Sequence, residues 1–184
     1  RVAFSPDSAT VLTAGDDQTL KLWDLKNGRV VGTYHPEAPA TSIAFSPDGH
    51  FAVSGSKTGN AQLWNTATYF VIPGKEIRSL VNPTPVNLSV VGSLFTFTSN
   101  ATKPIKTFEI ESSTVVAFAP DGQSTASGGT DGVVVVWDVN TGNATDLFTD
   151  HEYDITALAF GPDGVVLASG DAGGYIKVWQ LNAN

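Results

Sequence analysis

Four acids in nine residues, Asp146, Asp150, Glu152 and Asp154, flank His151 and form a cluster that could handle a proton or a cation. His151-Glu152 opens like the zinc-protease string His-Glu-x-x-His, in which two imidazoles one helical turn apart share a metal. Ile155 stands where the second His is needed, so that chemistry lacks a ligand. A calcium loop needs six to eight oxygens with fixed spacing and a Gly at its sharp turn. The acids here do not follow that spacing, and a solvated loop is the simpler reading. The other histidines are His35 and His50, the second just after a turn. With no Cys in the chain, disulfides, thiolate metal sites and cysteine nucleophiles are excluded. No Gly-x-Ser-x-Gly elbow, phosphate-binding Gly-x-x-x-x-Gly-Lys-Ser/Thr or dinucleotide Gly-x-Gly-x-x-Gly occurs. The expectation is a protein that is not an enzyme, with no catalytic residue, no metal and no cofactor. Three glycosylation acceptors, Asn87-Leu-Ser89, Asn100-Ala-Thr102 and Asn143-Ala-Thr145, are about what the Ser and Thr content gives by chance, and they matter only in a secreted chain.

The elements that carry these residues must come from 184 residues, enough for one ordinary domain. Hydrophobic residues make up 41% and charged residues 15%, so the chain can build a core. The net charge of −8 repels phosphate backbones and anionic lipid, which argues against nucleic acid or a membrane as partner. No apolar run approaches the ~18–20 residues of a membrane span. No signal-peptide pattern is present, and a cytoplasmic location is the expectation. The chain opens inside a strand pattern, Arg1-Val2-Ala3-Phe4, and without Met, which reads as a fragment or a processed chain.

The strongest signal is a repeat. Trp23, Trp64, Trp137 and Trp179 each follow a Phe by nineteen residues: Phe4, Phe45, Phe118 and Phe160. Each Phe opens a turn, Phe-Ser-Pro-Asp-Ser, Phe-Ser-Pro-Asp-Gly, Phe-Ala-Pro-Asp-Gly or Phe-Gly-Pro-Asp-Gly. Pro presets φ there, Asp caps its own backbone and Gly closes the turn. The spacing from Trp64 to Trp137 is 73 residues, against 41 and 42 for the other two. Two readings fit: an irregular insertion of ~32 residues, or a degenerate unit in which Val81-Asn-Pro-Thr-Pro replaces the turn and Phe97 replaces Trp. The alternation Phe95-Thr-Phe97-Thr and the run Ile105-Lys-Thr-Phe108 look like strands and favour the degenerate unit. The units then run about 1–34, 35–74, 75–108 (degenerate), 109–150 and 151–184. Within the first, strands are expected at Arg1–Ser5, Thr10–Ala14, Thr19–Asp24 and Arg29–Tyr34. Val133–Val136 fits a strand buried on both faces.

Four short strands per ~40 residues is the pattern of a propeller blade. With Leu20-Lys-Leu-Trp-Asp24, Ala61-Gln-Leu-Trp-Asn65, Val134-Val-Val-Trp-Asp138 and Ile176-Lys-Val-Trp-Gln180, and Ala14-Gly15, Ser54-Gly55, Ser127-Gly128 and Ser169-Gly170 upstream, the chain resembles the WD40-repeat family. The resemblance implies an all-β fold, a WD40-type β-propeller array with about five blades, part of a larger propeller or assembly. It also implies a hydrogen-bonded His–Ser/Thr–Asp–Trp set in each blade. Ten residues before Trp stand Thr13, Ser54, Ser127 and Ser169, and six before it stand Asp17, Thr58, Asp131 and Gly173. His35 and His151 match the His, 28–29 before Trp, and Glu109 lies near that place in its unit. On this alignment no unit holds the full set.

In such a blade, the loop entering the first strand and the turn joining the second and third strands lie on one rim. Besides Asp17 and Asp131, those segments carry Asp16, Glu37, Glu109, Glu111, Asp150, Glu152, Asp154 and Asp171 against one base, Lys57. The alternatives are acidic loops that keep a repeat protein soluble and a patch that recruits a basic partner. The innermost strands, such as Ser42-Ile-Ala-Phe45 and Thr156-Ala-Leu-Ala-Phe160, are small and apolar, which disfavours catalysis or ligand binding in a central channel. The function implied is a scaffold that docks other proteins on its faces, some through basic segments. A blade array that assembles with further blades or chains through its open ends is the other reading.

Overall fold

The computed structural model of the chain describes residues 1–56, 59–71, 86–91, 94–99, 104, 106–108 and 115–181, and every regular element among them is a strand. The first four, β1 (Val2–Phe4), β2 (Thr10–Ala14), β3 (Leu20–Asp24) and β4 (Arg29–Tyr34), form an antiparallel sheet in chain order, within a residue of the expected bounds. Next come β5 (Ala40–Phe45), β6 (Phe51–Ser56), β7 (Gly59–Asn65), β8 (Thr68–Val71), β9 (Val86–Val91), β10 (Leu94–Ser99) and β11 (Lys106–Phe108). The third full sheet is β12 (Val115–Phe118), β13 (Ser124–Gly128), β14 (Val134–Asp138) and β15 (Ala144–Phe148), again in chain order. The last is β16 (Ile155–Phe160), β17 (Val166–Asp171) and β18 (Ile176–Gln180).

One boundary differs from the sequence reading. Lys106–Phe108, drawn as the end of a degenerate third unit at 75–108, pairs with β7 in the register Lys106↔Leu63, Thr107↔Gln62, Phe108↔Ala61. It is the outer strand of the second sheet, whose order is β11-β7-β6-β5. The strands between, β8 to β10, form a separate sheet of order β8-β10-β9, which is not the chain-order meander of a blade. Four sheets thus have blade order, and the segment between β7 and β11 is an insertion carrying a small sheet of its own. The reason is packing: Phe108 is fully buried and lies 5.2 Å from Trp137, filling the space between the second and third blades. Phe97 pairs through its backbone with Tyr69 and Leu88, and its side chain lies outside the described residues.

The blades stack with one polarity. Because side chains alternate across a strand, Trp64, Ala52 and Phe45 share one face of the second sheet and pack on Leu12, Leu20 and Leu22 of the first. The opposite face, with Val53, Leu63 and Phe108, receives Trp137 and Val135 of the third. The back of the third, with Ala126, Val134 and Val136, receives Trp179, Leu158 and Leu167 of the last. Val134 to Val136 are buried, as the apolar run implies. Fully burying a Leu or Val side chain stabilises by about 1.5–3 kcal/mol, so these three seams hold the array together.

The Pro-Asp turns reinforce the stacking on one rim. Asp7, Asp48, Asp121 and Asp163 each accept a hydrogen bond from the backbone N–H two residues on. The residue after Asp takes a left-handed φ, +72°, +70° and +74° at Gly49, Gly122 and Gly164, but +57° at Ser8. A Cβ on Gly49 would stand 3.3 Å from Pro6 of the preceding blade, and one on Gly122 would stand 3.5 Å from Pro47. The second contact places the third sheet directly beside the second.

Candidate docking rim

In all four blades the indole N–H of Trp donates to a hydroxyl ten residues upstream: Trp23 to Thr13, Trp64 to Ser54 and Trp137 to Ser127 at 2.9 Å, and Trp179 to Ser169 at 2.7 Å. The register explains the constancy. Ser127 pairs with Val135, two residues from Trp137 on β14, so the hydroxyl and the indole share one face of the sheet. A buried N–H without an acceptor would cost about 1–3 kcal/mol.

The last blade extends this bond into a chain of four groups. Ser169 Oγ lies 2.7 Å from His151 Nε2, and His151 Nδ1 lies 2.7 Å from Asp171 Oδ2. One arrangement of protons satisfies each group: Trp179 donates to Ser169, Ser169 to Nε2, and Nδ1–H to the carboxylate. Asp171 Oδ1 accepts the backbone N–H groups of Gly173 and Tyr175, both at 3.0 Å. Burial pushes the Asp171 carboxyl up, but the His151 hydrogen bond and the two backbone donors outweigh it and hold it below the usual value of 3.8.

This corrects two expectations. The last blade has the full set, and Asp171 is a buried member of it rather than a partner-facing acid. The carboxylate sits eight residues before Trp, not six; the other blades have Gly15, Ser56 and Gly129 there, so an acid at that place was the available signal. Asp17 and Asp131, six before Trp, are exposed and serve their own turns. Asp17 accepts from Thr19 N and Oγ1 and pairs with Lys21 at 3.6 Å, and Asp131 accepts from Val133 N. In the second blade His35 is exposed, and the buried Pro36 stands 28 residues before Trp64, the spacing of His151 from Trp179. Tyr34 leans on Trp64 there, with ring centroids 5.7 Å apart, and donates its hydroxyl to the Asn65 carbonyl.

The His151 set fixes the loop that enters the last blade. Ile155 N donates to Gly129 O and Ala172 N to Asp154 O, both at 2.9 Å, while Lys177 Nζ donates to Asp150 O. The loop 150–154 and the turn 171–175 are thus laced together. Asp150, Glu152 and Asp154 are exposed on it, as are Asp16 and Glu37 on earlier blades. Glu109, Glu111, Lys57 and Thr58 lie outside the described residues. Sequence reasoning passed over Tyr153 and Tyr175, 47% and 61% exposed, whose rings stack at 6.3 Å and 11° beside these acids. Their signal is a break in the repeat: four residues before Trp the other blades have Thr19, Asn60 and Val133. Between the innermost strands, a cleft of about 310 Å³ is lined by Arg1, Val2, Thr41, Ser42, Ile43, Val115 and Thr156.

A family model described as WD domain, G-beta repeat matches residues 1–24, 28–65, 102–138 and 142–180. The third match includes β11 and leaves 66–101 uncovered, in step with the sheet pairing. Similar proteins include the Periodic tryptophan protein 2 homolog of Dictyostelium discoideum, 26% identical over 155 residues, 82% of this chain and 14% of that one. WD repeat-containing protein AAC3 of Dictyostelium discoideum is 24% identical over 156 residues, 76% of this chain and 33% of that one. WD repeat-containing protein SL1-17 of Schistosoma mansoni is 30% identical over 137 residues, 68% of this chain and 46% of that one. The chain spans less than half the length of each of these relatives. Four blades in chain order, a Trp–hydroxyl bond in each and a four-fold match over most of the sequence mean that the chain belongs to the WD40 family, the WD domain or G-beta repeat proteins.

Proposed function

We propose that this chain is a non-enzymatic scaffold that docks a protein partner through a basic segment on the rim formed by loop 150–154 and the neighbouring turns. Proteins of this family are generally interaction scaffolds, and the rim's chemistry selects among partners. The observation that carries the reading is the exposed set Asp150, Glu152 and Asp154, held on a loop whose backbone is tied to two neighbouring turns. The base that reaches this loop's backbone is Lys177, whose ammonium donates to the Asp150 carbonyl, so the three acids outnumber it. Like charges on a rigid rim raise the local negative potential and speed encounter with cations, an effect screened beyond about 8–10 Å at physiological salt. The test is the triple variant Asp150→Asn, Glu152→Gln, Asp154→Asn against an immobilised lysine- and arginine-rich peptide. Association should slow more than dissociation quickens, and the difference should vanish in high salt. Unchanged capture, with loss on altering the Pro-Asp turns instead, moves the site to the opposite rim.

A second reading has its own observation. Val2 and Phe4 on the Trp23 face of the first sheet, and Ile176 and Val178 on the back of the last, are 64–78% exposed. These are the two kinds of face that mate at each internal seam, which favours assembly with further blades or chains. Sedimentation of wild type and Ile176→Glu over a range of concentrations tests it; identical monomeric behaviour removes self-assembly.

A further inference from the structure

We propose that the stacked Tyr153 and Tyr175 rings are a platform for a guanidinium group, so that the segment docking on this rim presents an arginine rather than a lysine. The inference deepens the docking reading above and rests on it.

The platform is built into the blade. A Cβ on Gly173 would fall 2.4 Å from Tyr153 Cδ2, so the Tyr153 ring occupies space that a side chain at 173 would take. Tyr175 N donates to Asp171 Oδ1, and Tyr175 O accepts from Asp171 N at 3.0 Å. The same buried carboxylate holds His151, two residues before Tyr153. The backbone of Tyr175 is therefore fixed by Asp171, and the two exposed rings stack on each other.

The chemistry of the occupant follows from what surrounds the rings. An aromatic face carries negative potential at its centre and attracts cations within ~6 Å of the ring. Glu152 and Asp154 flank Tyr153 in the loop and are exposed. A planar guanidinium stacks on an aromatic face while its edge donors reach carboxylates, whereas an ammonium is a compact, strongly hydrated charge without a stacking face. Phosphate-bearing partners meet three acids here and are repelled.

Two synthetic peptides test this, three arginines spaced by Gly-Ser and the same peptide with lysines, titrated calorimetrically at low salt. The arginine peptide should bind about two- to fivefold more tightly, the range of an exposed cation–aromatic contact. Tyr175→Ala should erase that preference, and Tyr175→Phe should keep it, because the face and not the hydroxyl is used. Circular dichroism checks that both variants fold. If the two peptides bind wild type equally and Tyr175→Ala changes neither, while the triple acid variant weakens both, the stacking platform is wrong and the docking reading stands. If neither peptide binds wild type, both fall.

Discussion

The second and last blades solve one problem, a large indole in a seam between sheets, in two ways. In the last, Trp179 is partly exposed and heads a polar chain through Ser169 and His151 to Asp171, every link at 2.7 Å. In the second, Trp64 is fully buried, Tyr34 packs on it, and the chain stops at Ser54. Pro36 takes the imidazole's spacing and Ser56 takes that of the carboxylate. Among the described residues, Ser56 Oγ and Gln62 Nε2 are buried without a hydrogen-bond partner. The indole–hydroxyl bond is thus the part a blade keeps, while the imidazole–carboxylate pair can be exchanged for apolar burial. In the last blade the polar solution lies beneath the rim loop where the exposed acids and tyrosines stand, whereas in the second the entering loop is tied by Glu37 N donating to Gln62 Oε1.

Substitutions separate the two solutions. The largest loss is expected for Trp64→Ala, about 3–5 kcal/mol, because a fully enclosed ring leaves a cavity; a urea midpoint close to wild type would contradict the burial-based account. Ser169→Ala comes next, about 1–3 kcal/mol, since it strands both the Trp179 N–H and His151. Amide exchange should then quicken across 150–175 more than in the second blade, and uniform quickening would show the blades to be one unit. Acid sharpens the comparison. Asp171 titrates below 3.8 when folded, so its contribution is fully present above that value and is lost as pH falls through the lowered one. Asp171→Asn should therefore flatten the acid limb of stability below 3.8; curves that keep the same slope would remove Asp171 as its source. Ser56→Ala, which deletes an unpartnered hydroxyl, should be neutral or slightly stabilising. A modest gain is expected outside both seams: Ser8→Gly should raise stability by about 0.5–1 kcal/mol, because the other three turns place Gly at that left-handed position. A lower melting temperature for Ser8→Gly would show that the Ser8 side chain has a compensating role.

Much of this was legible because it is local. The Phe-to-Trp spacing, the Pro-Asp turns and the hydroxyl ten residues before Trp each lie within one or two strands, where register fixes which side chains share a face. What escaped depends on a single residue of slip or on distance along the chain. His35 and Pro36 differ by one position, and that step decides which enters the seam. Asp171 reaches His151 because the turn Ala172-Gly173-Gly174 brings two backbone N–H groups onto its other oxygen, a geometry that spacing from Trp does not encode. Phe108 finds β7 across the whole insertion, and no local pattern distinguishes it from a strand of a new unit.

That pairing has a kinetic meaning. Elsewhere the outer strand follows its neighbour after a few residues, as β4 follows β3, but β11 begins 41 residues after β7 ends. A roughly tenfold longer closure costs about 2 kcal/mol of extra chain entropy before any contact compensates. Hairpins close in microseconds, whereas pairings between distant segments are slow. The second blade is therefore the expected last step of folding, and the fit of Phe108 beneath Trp137 is its latch. A chain lengthened within 72–85 should fold more slowly yet unfold at nearly its former rate, since the loop is already closed in the folded state.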